Sequence, residues 1–335
     1  MAQVDPPGDL GPADQHRVAG GVGAGSAGHG LSLPPARYRG LIRASHHSDH
    51  DRDALVARKR DGGVTASLVL PARDEEATIG RVLEAYLPLR EAGLLDEVVV
   101  VDSLSTDATA AVARAAGATV VAVGDVHPAI PAARGKGEAL WRGVLASRGD
   151  LVVFADADVL DAGPHYVVGL LGPLLADPAV QLVKGFYERP IVAADGTVEE
   201  HGGRVTELVA RPLLSLLRPE LAGLVQPLAG EYAARRSLLE AVAFPVGYGV
   251  EIALLLDTFT RHGAAALAQV DLGRRTHRRQ SQQQLGVMAA EVMAAALRRL
   301  GVDPVGAAMH QFAPEGHAPL ATDLRLAERP PISSL

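Results

Sequence analysis

The chain has no cysteine in its 335 residues. That excludes disulfides, thiolate metal sites and a cysteine nucleophile. Asparagine is also absent, and Lys59, Lys136 and Lys184 are the only lysines. No apolar run approaches the roughly 20 residues that a helix needs to cross a bilayer, and Ile252 to Leu256 is among the longest. The N-terminus lacks the basic stretch and apolar core of a secretory signal, so the expected compartment is the cytoplasm, with no membrane partner. A net charge of −7 argues against general nucleic-acid binding. No Gly-x-Gly-x-x-Gly follows the first strand and no Gly-x-x-x-x-Gly-Lys-Ser/Thr occurs, which disfavours a dinucleotide-dependent dehydrogenase and a P-loop NTPase.

What the chain does have is enough apolar sequence for an ample core, at 48% hydrophobic residues. Residues 1–62, rich in Gly, Pro, Ala, Asp and His, read as a mobile extension with a short helix near Asp53 to Lys59. Its His46, His47 and His50 beside Asp49 and Asp51 read as part of a solvated tail. Order begins with a buried strand, Ser67 to Pro71. Asp74 is the expected N-cap of the next helix, with Glu75 and Glu76 in its first turn and Ile79, Val82, Leu83 and Tyr86 on its apolar face.

Glu97 to Asp102 is a second strand, and Ser105-Thr106-Asp107 opens a helix that runs to Gly117. A third strand spans Thr119 to Val123. Gly135-Lys-Gly137 leads into an amphipathic helix through Leu140, Trp141, Val144 and Leu145. The strand Leu151 to Ala155 ends on Asp156-Ala-Asp158. This alternation requires right-handed βαβ units and a parallel sheet, here assigned to residues 63–160.

The alternation weakens after Pro164. Over 161–303 the pattern predicts a strand at Val180 to Tyr187 and helices at Val205 to Leu217, Leu238 to Ala243 and Gly249 to Arg261. A strand at Ala268 to Leu272 then enters a basic turn, Gly273 to Arg279. A last helix spans 285–300, with an apolar stripe of Leu285, Met288, Val292, Met293, Ala296 and Leu300 that packs on its own domain or on a second copy. Residues 304–335 read as an irregular tail.

Four segments converge on the carboxyl edge of the sheet, where open α/β folds bind ligands. They are Pro71-Ala-Arg-Asp-Glu75, Asp102-Ser103, Gly135-Lys-Gly137 and Asp156-Ala-Asp158. Together they suit a nucleotide diphosphate. Glu75 and Asp102 can accept bonds from base or ribose donors, and Lys136 offers a point charge to phosphate. Two carboxylates one residue apart suit a hard divalent cation, Mg²⁺ or Mn²⁺, that carries the diphosphate. Farther along, Gly202-Gly203 leaves backbone N–H groups accessible where a helix starts, and Arg204 adds a fork that matches phosphate geometry.

Longer runs carry a resemblance. Leu70-Pro-Ala-x-Asp-Glu-Glu76, Asp102-Ser-x-Ser-Thr-Asp107 and Asp156-x-Asp158 resemble GT-A glycosyltransferases. More specific are Gly135-Lys-Gly-Glu-Ala-Leu-Trp141, Gly202-Gly-Arg-Val-Thr-Glu-Leu-Val-Ala-Arg-Pro212, Gly230-Glu-Tyr-Ala233 and Gly247-Tyr-Gly-Val-Glu-Ile252. From about Ser67 to Phe312 the chain is similar to the actinobacterial glucosyl- and mannosyl-3-phosphoglycerate synthases.

The resemblance implies a GT-A, Rossmann-like α/β fold with a mostly parallel sheet and a smaller, mainly helical acceptor region. It implies a retaining, metal-dependent hexosyltransferase that acts on the 2-hydroxyl of 3-phosphoglycerate, expected as a homodimer. On the donor side it places Pro71, Ala72, Arg73, Glu75, Asp102, Ser103, Lys136, Asp156, Ala157, Tyr248 and Arg275. It places Gly203, Arg204, Val205, Thr206 and Arg279 at the acceptor, and Asp158 with His277 at the metal. Glu251, Asp156 and Lys136 are the expected catalytic residues.

Departures from the mycobacterial glucosyl enzymes at Arg73, Asp74, Leu104 and Arg279 surround the nucleotide and acceptor. They leave UDP-glucose, GDP-glucose and GDP-mannose open as donors. No nucleophile stands out for a double displacement, so the expected mechanism is front-face attack. The competing readings are a sugar nucleotidyltransferase, which normally carries a Gly-rich basic loop after its first strand, and a non-catalytic sugar-nucleotide binding module.

Overall fold

The computed structural model describes residues 42–188, 191–192, 198–199, 203–275, 281–313 and 315–335. Order begins earlier than the composition suggests. β1 (Arg43–His46) and α1 (Arg52–Asp61) belong to the fold, with Asp51 capping α1 by accepting the Ala54 N–H. Then come β2 (Ala66–Ala72), α2 (Ile79–Glu91), β3 (Glu97–Asp102), α3 (Thr109–Ala115), β4 (Thr119–Ala122), α4 (Lys136–Ala146) and β5 (Leu151–Phe154). α5 (Pro164–Ala176) leads to β6 (Leu182–Glu188), and β7 (Ile191–Val192) pairs with β8 (Val198–Glu199). A helical run from Arg204 includes a π segment, Thr206–Ala210, and continues as α6 (Arg211–Leu217). β9 (Tyr232–Arg235), α7 (Arg236–Ala241), β10 (Phe244–Pro245), α8 (Val250–His262), β11 (Leu267–Arg274) and α9 (Gln282–Arg299) follow. β12 (Ala308–Phe312), β13 (Pro319–Asp323) and β14 (Glu328–Arg329) close the chain.

Eight strands form one sheet in the order β1-β11-β6-β9-β5-β2-β3-β4. All neighbours are parallel except β9, which runs antiparallel between β5 and β6. The strands read as continuous apolar runs because both faces are covered. Leu68, Leu70, Val98, Val100 and Val153 point into one core with α2 and α5. Val69, Val99, Val101, Val152 and Phe154 point into the other with Trp141 of α4 and Ile252 and Leu255 of α8. Successive side chains on a strand face opposite ways, so each strand feeds both cores.

Besides β1, the short strands β7, β8 and β10 and the C-terminal strands, α5 and β9 escaped the sequence reading. α5 was hidden because its segment is apolar on all sides, with Tyr166 to Leu171 buried throughout. β9 was hidden because four residues leave no room for a periodic pattern. Most of the α9 stripe packs inward, as Val292 and Ala296 sit in the second core with Leu285 and Met288 against it, but Met293 is exposed.

Helix capping around the first two loops differs from expectation. Asp74 does not cap α2, whose N-cap is Thr78. Asp74 sits at φ 54 and accepts the Thr106 N–H at 2.7 Å, while its own N–H donates to Ser105 Oγ. Glu75 N–H donates to Thr109 Oγ1 and Glu76 N–H to Asp107, and Glu76 in turn accepts from Ala108 N–H. The residues that suit helix starts therefore fasten the two loops to each other.

The C-terminal segment is ordered rather than irregular. β12 and β13 form a hairpin and β14 pairs with β10. Pro330 O accepts from Trp141 Nε1 at 3.0 Å. Arg329 pairs with Glu138, a fully buried carboxylate that also takes Arg142 Nε at 2.9 Å. Arg142, equally buried, donates to the carbonyls of Val126, His127 and Ile130. These bonds fix the loop before α4 and thus the start of the helix that carries Lys136. Glu138→Ala leaves the buried Arg142 and the half-buried Arg329 without their carboxylate partner, and urea unfolding should show a loss of about 3–5 kcal/mol. An unchanged midpoint would remove Glu138 from this role.

Candidate active site

The sheet brings the expected segments to one edge. Pro71 and Ala72 end β2, Asp102 ends β3 and Asp156 to Asp158 follow β5. Lys136 is the first residue of α4. The first N–H groups of α4 are taken by the loop before α8, with Gly137 N–H donating to Gly247 O at 3.2 Å and Glu138 N–H to Val246 O at 3.1 Å. A Cβ on Gly137 would overlap the Pro245 carbonyl, so only glycine permits this approach. Tyr248 and Glu251 thereby lie beside Lys136.

Lys136 Nζ stands 2.8 Å from Asp156 Oδ1 and 2.9 Å from Glu251 Oε1. Arg275 Nη2 lies 3.0 Å from Asp156 Oδ2 and 3.4 Å from Asp158 Oδ1. Burial opposes charge on Lys136, but Asp156 and Glu251 outweigh it and hold the ammonium well above its ordinary pKa. Burial likewise pushes Asp156 up, while Lys136 and Arg275 together keep it far below the usual carboxylate range. Asp158 is raised, by burial first and then by Asp156. Behind them Lys184 is buried with Nζ on Ala229 O at 2.6 Å, and burial brings its pKa down to about 7.

One cavity of about 1200 Å³ unites these groups. Pro71, Ala72, Arg73, Glu75, Ser103, Lys136, Asp156, Ala157 and Asp158 line it together with Tyr248, Glu251 and Arg275. Gly203, Arg204, Val205 and Thr206 line it too, from the start of the helical run before α6. Asp102 does not reach the lining; its Oδ1 accepts the Ser105 N–H at 3.3 Å and shapes the loop. His277 and Arg279 lie outside the described residues.

Sequence reasoning missed the contribution of α9 and the C-terminal hairpin, which add Gln284, Met288, Leu320 and Arg325 to the wall. The signal in α9 was an apolar stripe, which fits ordinary core packing equally well, and the hairpin falls in the stretch read as an irregular tail. Gly230 was seen only as part of a motif. A Cβ there would overlap the Asp156 carboxylate, so the glycine sets how close β9 comes to the site.

The donor set suits a hard dication. Asp156, Asp158 and Glu251 bring three carboxylates to the cavity wall, and Asp158 is the one that Lys136 does not meet. Asp158, which Lys136 does not contact and Arg275 meets only loosely at 3.4 Å, is where a hard cation would be best received. No third Asp, Glu or His among the described residues completes a metal cluster with the pair.

Comparison with known proteins agrees with this geometry. The family profile of glycosyl transferase family 2 matches residues 67–237. A glucosyl-3-phosphoglycerate synthase from Mycolicibacterium paratuberculosis is 51% identical over 281 residues, covering 82% of this chain and 85% of the relative. One from Petrotoga mobilis is 44% identical over 264 residues, covering 78% and 81%. The crystal structure of the Mycobacterium tuberculosis glucosyl-3-phosphoglycerate synthase with Mn²⁺ and UDP-glucose superposes at TM-score 0.80 and 45% identity, covering 90% of this chain and 99% of that one. The same enzyme with Mn²⁺, UDP and glucosyl-3-phosphoglycerate gives TM-score 0.80 at 46% identity, with 88% and 99% covered. By fold and by sequence, the chain belongs to glycosyl transferase family 2 and, within it, to the glucosyl-3-phosphoglycerate synthases.

Proposed function

We propose that this chain is an enzyme that transfers glucose from UDP-glucose to the 2-hydroxyl of 3-phosphoglycerate, with retention at the anomeric carbon. One observation carries the reading. The Lys136–Asp156–Glu251 contact stands in a single cavity whose lining runs from Pro71, Glu75 and Ser103 to Gly203, Arg204 and Thr206. At about 1200 Å³ that cavity exceeds the usual volume of a one-ligand pocket, roughly 300–1000 Å³. The relative crystallised with UDP-glucose and, separately, with UDP and glucosyl-3-phosphoglycerate supports glucose over mannose and UDP over GDP.

In this reading Asp158 and Asp156 hold Mg²⁺ or Mn²⁺, with His277 as the expected further ligand. The ion supplies charge stabilisation to the leaving diphosphate. Pro71, Ala72, Arg73, Glu75 and Ser103 seat the nucleotide. Lys136 directs its positive charge at the bridging oxygen as the bond from C1 to the diphosphate breaks. Gly203, Arg204 and Thr206 grip the acceptor phosphate, and Arg279 is assigned to the same side. Glu251, held by Lys136, orients the acceptor hydroxyl against the sugar. The 2-hydroxyl oxygen forms the new bond to C1 on the face that UDP leaves, and its proton passes to a phosphate oxygen of UDP. The cytoplasm suits this chemistry because both substrates carry charges that a bilayer core excludes.

A screen of UDP-glucose, GDP-glucose and GDP-mannose against 3-phosphoglycerate tests the proposal. UDP-glucose with Mg²⁺ should give the product, and EDTA should abolish turnover. Equal rates with EDTA present would sink the metal role. Arg204→Ala should raise the KM for 3-phosphoglycerate tenfold or more, by the roughly 1.5–3 kcal/mol of a charged hydrogen bond, with the donor KM little changed. Equal effects on both substrates would move Arg204 out of the acceptor pocket.

A further inference from the structure

Behind the cavity, three side chains from the ends of three strands meet, and of these only Arg275 reaches the cavity wall. Glu231 precedes β9 and is fully buried. Its Oε2 accepts from Tyr187 OH at 2.8 Å, on β6, and from Arg275 Nη1 at 2.6 Å, just past β11. Arg275 Nη1 also donates to Tyr187 OH at 2.5 Å, and the guanidinium lies over the Tyr187 ring, 5.2 Å from its centre. The other end of the same guanidinium, Nη2, reaches Asp156 and Asp158. Arg275 N–H donates to Glu188 O, which fixes the backbone from which the side chain extends.

The distances grade the competition. Glu231 is the nearer partner and Asp158 the farther, at 2.6 Å against 3.4 Å. A buried carboxylate is costly to keep, and Glu231 Oε1 has no hydrogen-bond partner among the described residues. A neutral side chain of similar size would fill the space between β6 and β9 without that cost. What the charge adds is a pull on Arg275 away from the two aspartates.

We propose that Glu231, aligned by Tyr187, is a positioning residue that restrains Arg275 so that Asp158 stays available to the divalent cation. This rests on the metal role assigned above to Asp156 and Asp158. Without Glu231 the guanidinium is free to close fully on Asp158 and compete with the ion. The field at the site also loses one negative charge. Both effects weaken metal binding, and second-row partners of metal ligands typically govern about 10- to 100-fold in affinity.

The test titrates Mn²⁺ into the full chain at a fixed UDP concentration and reads free Mn²⁺ by electron paramagnetic resonance against a protein-free blank. Glu231→Gln should raise the Mn²⁺ Kd about tenfold or more, and the KM for 3-phosphoglycerate should not move with it. Tyr187→Phe keeps the charge but loses its alignment, and it should raise the Kd by a smaller factor. It also carries the test should Glu231→Gln fail to fold. An unchanged Mn²⁺ Kd in the folded variants, or tighter binding, overturns the proposal while leaving the metal site itself intact. Absence of Mn²⁺ binding by the unsubstituted chain overturns the underlying metal assignment as well, so the two failures are distinguishable.

Discussion

The structure of the site depends on one shared cation. Lys136 Nζ bridges Asp156 at the end of β5 and Glu251 on α8, at 2.8 and 2.9 Å. An ammonium so placed joins two halves of the cavity, which under the proposed function are the nucleotide loops and the segment that faces the acceptor. Its position follows from backbone contacts rather than from side-chain length. The start of α4 donates to the carbonyls of Val246 and Gly247, and the C-terminal strap holds the loop before it through Glu138, Arg329 and Trp141. Charge is arranged in a gradient, with Asp156 strongly ionised between two cations and Asp158 left raised beside it. That asymmetry is how two neighbouring carboxylates take different tasks.

The strands β2, β3 and β5 were legible because each is a short apolar run that ends on a polar residue at the sheet edge. The helices α2, α4, α8 and α9 were legible from their period. The four converging loops followed from topology alone. The caps were only partly legible: Asp74 suits a helix start but bonds across to the neighbouring loop, and Asp107 accepts both the Thr109 N–H at the start of α3 and the Glu76 N–H across the loops. A residue type can say that a hydrogen bond will be made without saying to whom. β9 shows the same limit. Only the pairing of Tyr232 to Arg235 with strands on both sides reveals why Gly230 and Glu231 lie behind Asp156.

Residues far apart in the chain therefore carry the site. Arg275 lies in a basic turn that only the family resemblance assigns to the donor side, and the fold buries it against Glu231, Tyr187 and both aspartates. The ends of the chain contribute in a similar way. β1 adds a strand beside β11, the strand that carries Arg275 to the cavity, and β14 closes over the start of α4 through β10. Composition marks both segments as loose because their order comes from pairing with the rest of the fold rather than from any core of their own.

The central claim is that the Lys136 charge joins donor departure to the acceptor side. Lys136→Met keeps most of the side-chain volume and removes the charge. With saturating UDP-glucose, 3-phosphoglycerate and Mg²⁺, kcat should fall by about 10²–10³, the usual effect of losing one such electrostatic contact. A folded Lys136→Met variant that turns over within about twofold of the unsubstituted enzyme, well below that range, would contradict the account.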